Sequence, residues 1–177
     1  MNTNGGERRA WGAFTLLELF IVIVIIGILG TMLIPVYAGI RARAQRVQCI
    51  ANLHSLYIAA DLYVQRNGSW PQITRTSSET ADADFANAWI DALAPFGPTR
   101  QTWIFPGIQE ILQSPDYHQA QNARLDYYPM TFDNKPTTPH QWPRQPWFIE
   151  TANAHGNGNL IIFTDGSVSE SNDLLPK

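Results

Sequence analysis

One carboxylate, Glu18, stands alone in an otherwise uncharged, strongly apolar run over residues 14–34, FTLLELFIVIVIIGILGTMLI. A carboxylate inside hydrocarbon costs about 2.5–3.5 kcal/mol even on lenient insertion scales, so it needs a reason to be there. Two reasons are available. Thr15-Leu16-Leu17-Glu18 fits a capping box, in which hydroxyl and carboxylate satisfy first-turn N–H groups at the positive end of a helix dipole. A cut before Phe14 would also create an ammonium beside Glu18, and that charge pair, within one chain or between neighbours, can satisfy both groups in lipid.

The other residues with chemical potential are scattered. Cys49 is the single cysteine, which excludes an intramolecular disulfide and a Cys-based zinc cage. On a helix it reads as a small buried hydrophobe. His54 lies near an apolar arc and reads as a packing histidine, while His118, His140 and His155 lack a spacing for shared ligation. H-E-x-x-H, G-x-S-x-G and phosphate-binding glycine loops do not occur. Asp165-Gly166 predicts a type I′ hairpin turn, and His155, just before a strand, is placed to hydrogen-bond back to it. Asn157, Asn159, Asp165, Asn172 and Asp173 offer oxygen donors, which makes Asp165 and Asp173 weak calcium candidates and leaves no cofactor as the main expectation. Nothing in this set is catalytic.

These residues need elements to position them. The chain has 177 residues, 45% of them apolar, with much of that share in the N-terminal block. A net charge of −3 gives no global basic field for nucleic acid. Read as a helix, residues 14–34 come close to crossing a ~30 Å hydrocarbon core. Residues 19–29 contain no polar side chain, unlike a core helix of a soluble domain, so the run predicts a membrane segment. On composition alone three arrangements stay open: a secretory signal peptide cut after Ala38, a permanent single-span anchor, or a cut before the apolar run that leaves its helix in the mature protein.

Pro35 loosens the helix without ending it. Apolar residues continue at helical spacing through Val36, Ile40, Val47, Ile50, Ala51, Ile58 and Leu62, flanked by Leu53, Tyr57, Ala60 and Val64. That arc is broader than one globular face needs, and it predicts a helix covered on one side by its own domain and on the other by partners. Arg41, Arg43 and Arg46 read as a solvated or inter-subunit ion-pairing face. Asn67-Gly68 ends the helix and Trp70-Pro71 forces an extended exit. Beyond it, residues 81–94 predict a short amphipathic helix with Phe85, Trp89 and Leu93 on one stripe. Trp103-Ile104-Phe105 predicts a short strand, residues 108–112 one helical turn or two, and residues 125–132 an edge strand marked by Pro129. A Pro-rich excursion over 135–146 leads to strands at 147–149 and 159–164, the latter turning into 167–170.

Gly12-Ala13-Phe14-Thr15-Leu16-Leu17-Glu18-Leu19 followed by an apolar run resembles the N-terminal signal of type IV prepilins and type II secretion pseudopilins, with Ala13 where Gly is usual. The segments Cys49-Ile50-Ala51-Asn52-Leu53 and Asn67-Gly68-Ser69-Trp70-Pro71, and the H-x9-D-G spacing of His155, Asp165 and Gly166, resemble further patterns of that family. Leu112-Gln113-Ser114-Pro115-Asp116 is similar to a mid-domain element of one branch, with Ser114 replacing a cysteine. The resemblance implies an α+β pilin-like fold, one long N-terminal helix packed on a small C-terminal antiparallel sheet. It implies a leader at 1–13, a transmembrane and assembly half-helix at 14–35, an amphipathic half at 36–68, and a globular head at 69–177. Cleavage would fall between Ala13 and Phe14 by prepilin peptidase, with N-methylation of Phe14, and Glu18 and Pro35 would serve assembly. Implied partners are that peptidase, other copies and minor pseudopilins in a filament, and an inner-membrane assembly platform, but not nucleic acid. The implied location is a single pass of the inner membrane with a periplasmic head, then a periplasmic or cell-surface filament. The orientation follows the motif, since Arg41, Arg43 and Arg46 outnumber Arg8 and Arg9 across the span. A minor or priming pilin with an adhesive or DNA-binding head, or a tethered binding domain outside any filament, are the alternatives.

Overall fold

The computed structural model describes residues 15–75, 81–108, 124–152 and 158–174, the side chains of 32–36, 38 and 81 excepted. The chain divides into two compact units, Met1–Arg41 and Ala42–Lys177. Helix α1, Leu16–Asn67, contributes to both and runs through position 35 without interruption. Its end is chemically defined: Gly68 takes φ +73°, and its N–H donates to the Val64 carbonyl at 2.8 Å. That is a left-handed cap, favoured at glycine because a Cβ disfavours this backbone region.

Within the second unit, Cys49, Leu53, Leu56, Ala60 and Val64 recur every three or four residues and are buried. They form one face of α1. Against it pack Trp70, Trp89, Trp103 and Trp147, each with 0% exposure. The rings meet edge-on: Trp70 lies 5.0 Å from Phe132 and 5.1 Å from Trp147, in the tilted or T-shaped geometry that ring quadrupoles favour. Helix α2, Ala81–Leu93, adds Phe85, Trp89 and Leu93 from its apolar stripe.

Four strands, β1 (Tyr127–Pro129), β2 (Pro146–Glu150), β3 (Leu160–Phe163) and β4 (Val168–Glu170), form one antiparallel sheet in that order. The register pairs Tyr128 with Ile149, Ile149 with Ile161, and Ile161 with Ser169. The fold is therefore α+β, a long helix with a small antiparallel sheet, as the sequence implies. The strand β1 lies at an edge, where Pro129 is tolerated.

The expected strand at Trp103-Ile104-Phe105 does not form. Arg100–Trp103 is instead a 3-10 turn, with the Thr99 N–H donating to Thr102 Oγ1 at 3.1 Å. The Phe105 N–H goes to the buried Asp126 carboxylate at 2.7 Å rather than to a neighbouring strand. An apolar triplet gives too short a periodicity to distinguish these outcomes.

Replacing Leu53, which is fully buried on α1, by alanine is expected to cost about 2–5 kcal/mol in urea denaturation. Ile58→Ala, on the 55% exposed side of the same helix, should stay within about 0.5 kcal/mol.

Candidate assembly segment and the hairpin held by its helix

In the first unit the helix start is capped by Thr15. The Glu18 N–H lies 3.2 Å from Thr15 Oγ1 and 3.1 Å from the Thr15 carbonyl, which also accepts from Leu19 at 3.2 Å. Glu18 thus sits in the first turn of α1, where the helix dipole favours its charge. Beyond it, every large apolar side chain from Leu16 to Leu29 is at least 43% exposed. Burying one such side chain is worth about 1.5–3 kcal/mol, so a run of them open on all sides calls for a partner surface or a nonaqueous phase. Among the described residues no helix is long and apolar enough to cross a membrane. Ala13, Phe14 and His155 lie outside the described residues, as do Ser114, Asp116 and Asn157.

In the second unit, Asp165-Gly166 turns β3 into β4, as expected, but not through a type I′ turn. The Gly166 N–H donates to the Phe163 carbonyl at 2.9 Å, so Thr164 and Asp165 are the central pair. Gly166 has φ +76° and Asp165 is not in the positive-φ region that a type I′ turn demands of both central residues. The turn is a type I turn followed by a left-handed glycine. Asp165 Oδ1 accepts from the Ser167 N–H at 2.9 Å and the Ser167 hydroxyl at 2.5 Å. These bonds hold its carboxyl below the usual range.

This turn docks on α1. Tyr57 donates its hydroxyl to the Thr164 carbonyl at 2.8 Å, and its ring would lie 3.5 Å from a Cβ at Gly166. His54 places Nε2 3.1 Å from the Gly166 carbonyl and Nδ1 2.9 Å from the Ile50 carbonyl. About two turns earlier on the same side, Arg46 reaches Glu170 of β4 through Nε at 2.8 Å and Nη2 at 2.6 Å. Arg46 therefore pairs within the chain, correcting the expectation of a solvated or inter-subunit arginine. Among the described residues the histidine that contacts the hairpin is His54, and its place beside the apolar arc is the sequence signal for it. Burial, ahead of the Asp61 and Asp165 charges, raises the Tyr57 hydroxyl.

Behind this face lies a polar cluster that sequence reasoning missed. Cys49 is buried, and desolvation pushes its thiol up to about 12, which leaves it protonated and unreactive at neutral pH. Asn52 Nδ2 lies 3.4 Å from the Tyr127 hydroxyl, and Glu150 Oε2 accepts the Leu160 N–H at 3.2 Å. Burial raises Tyr127 strongly as well. Among the described residues no group of His, Cys, Asp or Glu is arranged to hold a metal ion, and Asp165 and Asp173 are not brought into one.

The chain is 38% identical over 70 residues to the type II secretion system core protein G of Pectobacterium carotovorum subsp. carotovorum, a match covering 40% of this chain and 45% of the relative. It is 31% identical over 80 residues to the fimbrial protein of Neisseria meningitidis serogroup A, covering 45% and 47%. Core protein G of Escherichia coli K12 is 36% identical over 58 residues, covering 33% of this chain and 40% of the relative. These relatives support a pilin-like pseudopilin family. The match spans less than half the length of each of these pseudopilins and pilins. No family model matches the chain, and no solved structure does.

Asp165, lowered from 3.8 in the folded protein, contributes stability that is full above that value and is lost as pH falls through the lower folded one. The Asp165→Asn variant should therefore be less stable than the parent near neutral pH. The gap in urea midpoint should narrow steadily below pH ~4, whereas a gap independent of pH would mean the carboxylate charge is not what holds the turn. Tyr57→Phe should cost about 0.5–1.5 kcal/mol at neutral pH in the same measurement.

Proposed function

We propose that this chain is the precursor of a structural subunit of a type II secretion pseudopilus or a type IV pilus-like filament. Prepilin peptidase cuts between Ala13 and Phe14 and N-methylates Phe14. The apolar half-helix, 14–35, first lies in the inner membrane as a single pass and then packs against its counterparts in the filament. Glu18, with Pro35 further along, serves that assembly, and residues 36–68 carry the head, 69–177, in the periplasm. Other copies, minor pseudopilins and the inner-membrane assembly platform are the partners. The role is structural rather than catalytic, without a cofactor.

One observation carries this reading: a Thr15-capped helix that exposes an unbroken apolar surface from Leu16 to Leu29 with a single carboxylate in its first turn. A surface of that kind is unstable in water. The lipid phase satisfies its apolar side chains, and the ammonium of a neighbouring Phe14 gives Glu18 a charge partner as the segment moves from lipid to filament. The pseudopilin and pilin relatives support the same reading.

Mass spectrometry of the mature protein should find methylated Phe14 at its N-terminus; a start at Gly39 removes the assembly helix and ends the proposal. Glu18→Ala is expected to leave the protein in the membrane fraction but to lower its share of sheared filaments by tenfold or more, on the order of the ~1.4 kcal/mol or greater that a desolvated charge pair contributes. Normal incorporation of that variant would contradict the role given to Glu18.

A further inference from the structure

The head carries a cleft of about 380 Å3 between the first turns of α2 and strand β1. That volume lies within the range of small-ligand sites. Its apolar wall is built around Phe85 of α2 and Tyr128 of β1, whose rings stack at 5.5 Å with planes 23° apart. Strand alternation explains the placement: Tyr127 turns into the core, so Tyr128 faces outward and remains 38% exposed. Leu125 extends the same surface.

Two guanidiniums, Arg75 and Arg124, line the cleft. Arg124 is fixed: its Nε donates to Asp126 Oδ1 at 2.9 Å, its Nη2 reaches the same oxygen, and Asp126 is 2% exposed. The other Asp126 oxygen accepts the Phe105 N–H. Both oxygens of the buried acid are thus engaged, and a cation entering the cleft meets little acceptor capacity there. An arginine has five N–H donors, and Arg124 commits only Nε and Nη2 to Asp126. Arg75 pairs with Asp82, but with side-chain exposures of 55% and 76% that pair is solvated. An exposed pair of this kind contributes little, so an incoming carboxylate can replace Asp82 at small cost.

We propose that this cleft binds the carboxylate of an aromatic acid, either a free one or the C-terminal residue of a peptide. The acid's ring lies against Phe85 and Tyr128, and its carboxylate takes donors from Arg75 and Arg124. The planar wall selects the aromatic body, and the guanidinium fork selects a carboxylate over its amide. This inference is independent of whether the chain polymerises.

Isothermal titration of the full chain in detergent micelles with N-acetyl-L-phenylalanine tests it. Saturable binding is expected with a dissociation constant on the order of 1 mM. N-acetyl-L-phenylalaninamide should bind roughly tenfold or more weakly. Arg75→Gln should erase the preference for acid over amide, and Tyr128→Ala should weaken both probes; each replaces an exposed side chain, and circular dichroism checks the fold. Equal affinity for acid and amide, no saturation by the acid, or an unchanged preference in Arg75→Gln overturns the proposal. Ac-Ala-Ala-Phe binding more tightly than the single residue supports a peptide end as the source, and weaker binding supports a free acid.

Discussion

The head is organised around one desolvated face of α1, running from Cys49 to Val64. Its residues run from the small Cys49, Ala59 and Ala60 to the larger Leu53 and Leu56, all fully buried. Four fully buried tryptophans fill the volume above it. Such large rings bury much area per residue, and they let a domain with short strands hold a core. They also make that core sensitive to the direction in which the helix presents its face. A helix turned by one residue, about 100°, would bring the exposed Gln48 and Ser55 under the rings in place of Cys49 and Leu56.

Polar contacts guard against that rotation. Arg46, His54 and Tyr57 lie on a common side of α1 and engage successive points of the β3–β4 hairpin. Each bond alone is worth about 1 kcal/mol, less than a buried leucine. Their effect is directional: they can all be made at a single setting of the helix against the sheet. Asp126 ties the segment before β1 to Phe105 and Thr151 and holds Arg124 beside it. Buried charges of this sort specify more than they stabilise.

Much of this was legible in the sequence because it rests on local chemistry. The end of α1 at Asn67-Gly68, the α2 stripe and the hairpin at Asp165-Gly166 each follow from a few residues read together. The hairpin's turn type was not legible, because Asp-Gly suits both a type I′ turn, with the pair central, and the observed type I turn, with Gly166 in the left-handed position after it. The Trp103 strand failed for a related reason: a buried carboxylate twenty-one residues away takes the N–H that a strand partner would have used. The Arg46–Glu170 pair spans 124 residues, and nothing local announces it. The cleft beside Tyr128 was missed because its wall comes from two elements and its arginines from segments that read as loop. In the apolar N-terminal stretch the sequence speaks most clearly, since composition alone says that those side chains are not meant for water.

Pro129 has a consequence beyond placing β1 at the sheet's edge. The Asp126 carbonyl accepts from Thr151, just past β2, and the Met130 N–H donates to Trp147 of β2, so the alternate position 129 faces away from that strand. There a ring nitrogen stands where another residue would present an N–H donor, and an incoming strand would find a gap in the ladder. Copies of any head with an open sheet edge, brought together at high local concentration, risk fusing edge to edge into amyloid-like stacks. On this side of the head, one imino acid makes neighbours poor templates for each other.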